Sequence, residues 1–279
     1  MSRRAAVLGS PIRHSLSPVL HAAAYRVLNL DWTYEAHEVA EDGLAGFLER
    51  LGGPELPGRW AGLSLTMPLK RAAVPLCAAL DEVARVTNAA NTLTFAGGTV
   101  HGANTDVPGM VGALAAAGVT QVATAAVLGG GATAAAAVAA VAQVCRGPVE
   151  VFVRTAERAA ELSPVAAHYG VELRVRAWAE VAGGLRAPLV IATTPTGATD
   201  GLATAVPTDP GTLFDVLYDP WPTPLAAAWG AKGGTVLGGL DLLVHQAVLQ
   251  VELMTGQTID RPAVVAAMRV AGEAELSRR

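Results

Sequence analysis

The sequence predicts an α/β fold of two domains. Three observations carry this. Through the middle third, short apolar runs alternate with helix-length segments, the pattern of βαβ units around a parallel sheet. Ahead of that stretch, Gly97-Gly98 separates two strand-like runs, a strong two-residue hairpin signal. Hydrophobic residues make up 52% of the chain but aromatics only 5%, so Ala and Val dominate, which suits closely packed layers. A length of 279 residues leaves room for two modest cores.

Taken in order, Ala5–Leu8 reads as a strand stopped by Gly9-Ser10-Pro11. Ser17-Pro18 opens a helix to about Leu28, with Ser17 as N-cap and Pro at the first helical position. Thr33–Val39 alternates like a strand, Asp42–Leu51 reads as a helix and Gly62–Thr66 as a strand. Ala90–Phe95 and Thr99–Asn104 form the hairpin, and Asp106-Val107-Pro108-Gly109 launches a helix over Met110–Ala117. Thr124–Leu128 is a buried strand, followed by glycines and an Ala-rich helix to about Cys145. Val149–Val153 is a strand and Ala156–Tyr169 a helix. Further strands fall at Glu172–Ala177, Leu189–Ala192, Leu213–Leu217 and Thr235-Val236. Asp241–Thr255 has helical periodicity, and Asp260-Arg261-Pro262 starts a last helix to about Leu276. The domain boundary is placed near Asp106: residues 1–106 form one domain, 107–239 the other, and the helices from about 240 to 279 are expected to pack back on the first.

The net charge of −4 and the absence of any basic run longer than two residues argue against a nucleic-acid partner. Cys77 and Cys145 have no CxxC neighbours and read as two unrelated buried thiols rather than a disulfide or a metal site. No charged residue occurs between Asp106 and Arg146. Pro108 and several glycines interrupt that stretch, so it reads as a buried strand-turn-helix and not a membrane span. The run after Met1-Ser2-Arg3-Arg4 is too short for a secretory h-region. A cytoplasmic location is the expectation.

Val127-Leu128-Gly129-Gly130-Gly131-Ala132-Thr133-Ala134 lies between a buried strand and a helix, where a dinucleotide phosphate turn belongs. Glycines allow close backbone approach, and the helix N-terminus offers N–H donors and partial positive charge. Ala134 stands where a strict GxGxxG has its last glycine. The next strand ends in Val153-Arg154-Thr155-Ala156-Glu157-Arg158. No acidic residue follows it directly to bind a ribose 2′-hydroxyl, whereas Arg154 and Arg158 stand one helical turn apart, a clamp for a 2′-phosphate. NADP is therefore expected over NAD. The bland alternative is a solvated helix start.

Three polar islands interrupt the apolar chain: residues 10–18 with Ser15 and Ser17, residues 87–92 with Asn91, and residues 102–106 ending in Asp106. Helix capping accounts for Ser17 and would account for Asp106. Lys70 closes the segment Gly62–Lys70. Against eighteen arginines the chain has two lysines, and an ammonium, unlike a guanidinium, exchanges its proton readily. The other, Lys232, reads as a surface residue. A Lys–Asp pair near a nicotinamide suits the proton that accompanies hydride transfer, and the islands suit a polyhydroxylated acid.

The chain resembles the shikimate dehydrogenase family nearly end to end. The motifs are Gly9-Ser10-Pro11-Ile12 through Ser15-Leu16-Ser17-Pro18, Leu65-Thr66-Met67-Pro68-Leu69-Lys70, Ala90-Asn91-Thr92, Asn104-Thr105-Asp106, the glycine turn, Tyr218-Asp219-Pro220 with Thr223-Pro224-Leu225, and Gly239-Leu240 with Gln246. The resemblance implies an N-terminal α/β substrate domain and a Rossmann-type NADP-binding domain. It implies NADPH-dependent reduction of 3-dehydroshikimate to shikimate, in chorismate and aromatic amino acid biosynthesis, by a monomer or homodimer. Carried over by position, Lys70 and Asp106 are the catalytic pair. Ser15, Ser17 and Tyr218 address the substrate carboxylate; Ser64, Thr66, Asn91 and Gln246 address its hydroxyls. Gly129, Gly130, Gly131, Ala132 and Thr133 hold the pyrophosphate and Arg154, Thr155 and Arg158 the adenosine phosphate. Thr194, Leu217, Gly239 and Leu242 complete the cofactor set. The family commonly has Asn at Ser64, Asn at Val153, Asn-Ala-Thr at Ala192-Thr193-Thr194 and Met at Leu242. Ser64 keeps open a quinate or aminoshikimate dehydrogenase using NAD or NADP. A non-catalytic shikimate-binding regulator is the reading from another class, and the Lys70–Asp106 pair speaks against it.

Overall fold

The computed structural model describes residues 2–51 and 60–279. Their contacts divide into two compact units, Met1–Gly109 with Leu243–Arg279, and Met110–Leu242. The first unit thus extends three residues past Asp106, and its return begins at Leu243.

The first unit opens with β1 (Arg3–Gly9), buried from Ala5 onward. It continues with α1 (Ser17–Val27), β2 (Trp32–Glu38), α2 (Leu44–Leu51) and β3 (Trp60–Leu65). A 3-10 turn at Glu41–Gly43 replaces the first turn of the helix expected from Asp42. After β3 come α3 (Leu69–Ala72), β4 (Ala79–Leu80), α4 (Glu82–Thr87), β5 (Thr92–Ala96), β6 (Thr99–Ala103) and α5 (Asp106–Ala116). The sheet order is β2-β1-β3-β5-β6-β4. β2, β1 and β3 run parallel, and β5 turns back antiparallel to both β3 and β6. Gly97 and Gly98, at φ +59° and +79°, make the hairpin turn that side chains would resist. Leu8, Leu63, Leu65, Leu69 and Leu93 centre its core.

The second unit holds β7 (Ala125–Leu128), α6 (Ala132–Val141), β8 (Val149–Val153), α7 (Ala156–Ala160), α8 (Ser163–His168) and β9 (Leu173–Ala177). Then follow α9 (Val181–Gly184), β10 (Leu189–Ala192), β11 (Thr212–Asp215), α10 (Pro224–Ala231) and β12 (Thr235–Leu237). All neighbours are parallel in the order β12-β11-β10-β7-β8-β9. Counted from β7 this is the doubly wound order 3-2-1-4-5-6, whose switch point lies between β7 and β10. The helix expected over Ala156–Tyr169 is two: Pro164, in the first turn of α8, has no N–H to continue α7. The Ala-rich helix ends at Val141, short of Cys145. Both thiols are half-buried, not buried. Lys232 is exposed, as expected of a surface lysine, and its Nζ donates to the Val206 carbonyl.

The chain closes with α11 (Gly239–Thr255) and α12 (Arg261–Leu276), whose first turn is capped by Asp260 Oδ1 accepting the Ala263 N–H at 3.3 Å. α12 packs on α1. Among the described residues no helix is long and apolar enough to cross a membrane.

Candidate active site

β3 ends at Leu65, and the chain is then pinned from two sides. Thr66 N–H donates to the Leu8 carbonyl at 2.9 Å, and Leu69 N–H donates to the Thr66 carbonyl at 2.8 Å. Gly9 fits here because a Cβ would stand 2.3 Å from Thr66 Cγ2. Lys70 consequently sits in the one-turn helix α3, not at the strand end itself. Its carbonyl accepts the Ala90 N–H at 2.8 Å, which ties this turn to the Asn91 island.

Asp106 is the first residue of α5, and its N–H is met by Asn104 Oδ1 at 2.9 Å. Asn104 takes the capping role the sequence allowed Asp106, and the Asp106 carboxylate is turned to other partners. Lys70 Nζ donates to Oδ2 at 2.6 Å, and Asn91 Nδ2 donates to Oδ1 at 2.9 Å. Asp106 is 4% exposed. Asn91 Nδ2 also reaches Thr105 Oγ1 at 2.9 Å and Gln246 Oε1 at 3.3 Å. Its Oδ1 accepts from the Thr105 N–H at 2.8 Å and the Thr92 hydroxyl at 2.9 Å. One amide thus orders both strands of the hairpin exit and the acid that holds Lys70. A buried ion pair of this kind is useful only when every remaining lone pair is met, and here both carboxylate oxygens have a donor.

Three bracing residues carried weaker signals. Asp81 caps α4 by accepting the Ala84 N–H at 2.6 Å, and its other oxygen takes the Asn104 N–H at 3.2 Å. Burial raises its pKa, against the pull of those hydrogen bonds. Asn88 at φ +48° ends α4 in the left-handed region and turns the chain toward Asn91. Asn104 Nδ2 donates to the Ala89 carbonyl at 2.9 Å and to Thr87 Oγ1 at 3.0 Å. An Asp before a short helix and an Asn beside Thr105 are visible in the sequence; their joint grip is not.

The serine island departs from expectation. Leu16, not Ser17, is the N-cap of α1 and makes no side-chain cap bond. Ser15 Oγ accepts the Ser17 N–H at 3.3 Å, and Ser17 lies buried in the first turn. Ser64 is 4% exposed and held from within, with one lone pair left over: Tyr34 donates to its Oγ at 2.6 Å, and it donates to Gln250 Oε1 at 2.7 Å. Neither Tyr34 nor Gln250 was singled out by sequence. Gln250 carries a helical signal, four residues beyond Gln246 on α11. Thr66 is half-buried at the head of α3. The first unit therefore brings Lys70, Asp106, Asn91 and Gln246 into one network, while Tyr218 falls in the second unit.

In the second unit, the chain leaves β7 at Gly129, φ +123°, where a Cβ would stand 2.5 Å from Thr193 Oγ1. Thr193 in turn donates its N–H and its hydroxyl to the Leu128 carbonyl, both at 2.9 Å. Thr194 follows it at the end of β10, on the other side of the switch point. Gly130 faces Arg158, whose Cβ would meet an added methyl at 2.8 Å, so the arginine stem packs on the turn. A Cβ at Gly131 would meet nothing within 4 Å, and Gly131 is the N-cap of α6 with no side-chain cap bond. Ala132 and Thr133 open α6, which is buried from Ala134 to Val141. An uncharged, open N-terminal turn suits a pyrophosphate. Arg154, Thr155 and Arg158 are exposed at the start of α7, and neither arginine has an ion-pair partner among the described residues. The donor set fits a 2′-phosphate. At the end of β11, buried Asp215 accepts the Leu217 N–H at 3.2 Å and the Thr223 hydroxyl at 2.8 Å. Burial raises its pKa against those bonds. Gly239 donates to the Leu217 carbonyl at 2.8 Å, and a Cβ there would lie 2.3 Å from the Val216 carbonyl oxygen. Leu242 is buried a turn further on. Among the described residues no cluster of metal-binding side chains occurs.

Comparison with known proteins converges on one family. Residues 7–93 match the shikimate dehydrogenase substrate binding domain, and residues 239–269 the shikimate 5′-dehydrogenase C-terminal domain. A Nitrobacter hamburgensis protein named shikimate dehydrogenase (NADP(+)) is 36% identical over 282 residues, covering 98% of this chain and 95% of that one. The crystal structure of Mycobacterium tuberculosis shikimate dehydrogenase is 40% identical with a TM-score of 0.86, covering 95% of this chain and 99% of its own. Thermus thermophilus shikimate 5-dehydrogenase, in complex with NADP(H) and shikimate, is 31% identical with a TM-score of 0.80, covering 96% and 99%. With this identity sustained across almost its whole length, the chain belongs to the shikimate dehydrogenase family.

Proposed function

We propose that this chain is an NADP-dependent shikimate dehydrogenase that interconverts 3-dehydroshikimate and shikimate in chorismate and aromatic amino acid biosynthesis, in the cytoplasm as a monomer or homodimer. The observation that carries the reading is the 2.6 Å contact between Lys70 Nζ and Asp106 Oδ2 inside a ring of amides and hydroxyls. NADP, when bound, supplies the redox chemistry by accepting or returning a hydride at the substrate carbon. Lys70 delivers a proton to the developing alkoxide oxygen in reduction and takes it back in oxidation. Asp106 holds the Lys70 amine in line, and Asn91 fixes the carboxylate through its second oxygen.

The remaining roles follow the family positions. Ser15, Ser17 and Tyr218 receive the substrate carboxylate; Ser64, Thr66, Asn91 and Gln246 meet ring hydroxyls. Gly129, Gly130 and Gly131 with the first N–H groups of α6 take the pyrophosphate, and Arg154, Thr155 and Arg158 the 2′-phosphate. Thr194, Leu217, Gly239 and Leu242 line the nicotinamide end. Residues 1–106 with those from about 240 form the substrate domain and 107–239 the dinucleotide domain. Relatives named for NADP and a relative bound to both NADP(H) and shikimate support this assignment.

The test is a matrix of shikimate and quinate against NADP and NAD, read as reduced cofactor formed by the wild-type chain. The expected result is fast NADPH formation with shikimate and about a hundredfold lower kcat/KM with NAD, the loss of two charge-assisted contacts at about tenfold each. Turnover confined to quinate or to NAD contradicts the assignment. Shikimate binding without turnover contradicts catalysis altogether.

A further inference from the structure

Among the residues proposed to meet substrate, Ser64 is the position at which this chain departs from the side chain common in the family, and its surroundings settle what its hydroxyl can do. Gln250 Nε2 donates to the Asn91 carbonyl at 3.1 Å and to Thr92 Oγ1 at 3.0 Å. A carbonyl only accepts, so the amide nitrogen must stand on that side and Oε1 must face Ser64. Ser64 then has to give its single proton to Oε1, at 2.7 Å. Tyr34, at 2.6 Å from Ser64 Oγ, cannot be met by a second proton there and must donate. The direction of the chain Tyr34 to Ser64 to Gln250 to Asn91 is fixed from its acceptor end. It stops at the residue that also holds Asp106.

The placement is as constrained as the polarity. Ser64 lies opposite Thr92 across β3 and β5, so both side chains share a face. Gln246, Gln250 and Met254 recur every four residues along α11 over the same region: Gln246 reaches Asn91, Gln250 reaches Ser64, and Met254 lies where a Cβ on Gly62 would be 2.7 Å from its Cγ. Four residues rise about 6 Å, so Ser64 is served one helical turn from the Asn91–Asp106 group. Tyr34 is steadied in its turn by the His21 ring, stacked at 3.8 Å between centroids.

We infer that Tyr34 and Gln250 are positioning residues that hold the Ser64 hydroxyl as an acceptor only, so that the substrate group it meets must be a hydroxyl that donates. This rests on the reading of Ser64 as a substrate contact. Gln250 acts through Ser64, and Tyr34 acts through Ser64 and through the Ser17 hydroxyl, its other hydrogen-bond partner. Tyr34→Phe removes one oxygen, bonded to both Ser64 and Ser17, and leaves Ser64 still bonded to Gln250, so the loss falls on the orientation of these two hydroxyls.

The experiment is steady-state kinetics of Tyr34→Phe beside wild type, with shikimate and NADP varied separately. The expected result is a KM for shikimate raised about tenfold, with kcat and the KM for NADP within about twofold. An unchanged shikimate KM overturns the inference, and so does a parallel loss in kcat and in NADP affinity, which marks general damage. Circular dichroism and the NADP-dependent rise in melting temperature check folding. Should the Phe variant not fold, Gln250→Leu carries the same expectation and the same overturning results. Failure of both to fold makes the trio a structural brace and overturns the inference too. A wild-type chain inactive with shikimate would instead defeat the enzymatic reading itself.

Discussion

At the scale of single residues, the chain separates charge that must move from charge that must stay. The cations proposed for the cofactor side are arginines, suited to a phosphate by their planar fork, whereas the cation bonded to Asp106 is a lysine. Arg154 and Arg158 stand exposed, with the Arg158 stem against Gly130. Replacing both with Ser should therefore raise the KM for NADP about a hundredfold, about tenfold for each charge-assisted contact, while the KM for NAD stays near wild type. Equal losses with both cofactors would show that the two side chains merely brace the turn. The residue types were legible in the sequence. Their partners were not always so. Ser17 looked like a helix cap, yet Leu16 occupies that position and Ser17 is turned inward. Asp106 looked equally like a cap, and Asn104, two residues earlier, relieves it of that duty. Capping preference is a property of a residue type, whereas the release of a carboxylate for chemistry depends on a neighbour's geometry.

At the scale of elements, α1 and β2 form a buried polar seam that no periodicity announces. His21 Nδ1 is bonded to the Ser17 carbonyl at 2.9 Å and its ring is fully buried against Tyr34. Burial, opposed only by that one bond, lowers its pKa from 6.5 to about 4. The unfolded chain therefore takes up a proton first on acidification. The stabilisation from neutral His21 is fully present above pH 6.5 and is lost as pH falls toward 4, a change of about 3 kcal/mol across that window. Urea unfolding of wild type and His21→Gln at pH 7.5 and 4.5 should show a smaller acid loss in the variant. Equal losses would place the acid sensitivity elsewhere. The same seam shows why Tyr34 escaped notice: an alternating β2 explains a tyrosine without any polar duty. By contrast, the βαβ alternation, the Gly97-Gly98 turn and the glycine turn after β7 were readable directly, because each is set by local backbone demands.

At the scale of the whole molecule, the chain splits into two compact units, each built on its own sheet. The parallel sheet of the second follows from apolar runs spaced by helices, and its 3-2-1-4-5-6 order sets the glycine turn at the switch point. The first unit was harder to read, since β4 is two residues long and α4 six, below the length at which periodicity is visible. What joins Lys70 to the rest of its unit is long-range: Asn91, Asp106 and Gln246 are distant in sequence, and only folding brings them to one amide. The central claim is that Lys70 moves a proton and does not merely contribute charge. Its most direct test is the turnover of Lys70→Arg at saturating shikimate and NADP, with shikimate binding measured alongside. The expected result is binding near wild type and a kcat lower by at least about a hundredfold, the scale of a lost general acid–base group. A Lys70→Arg enzyme turning over near the wild-type rate would contradict it.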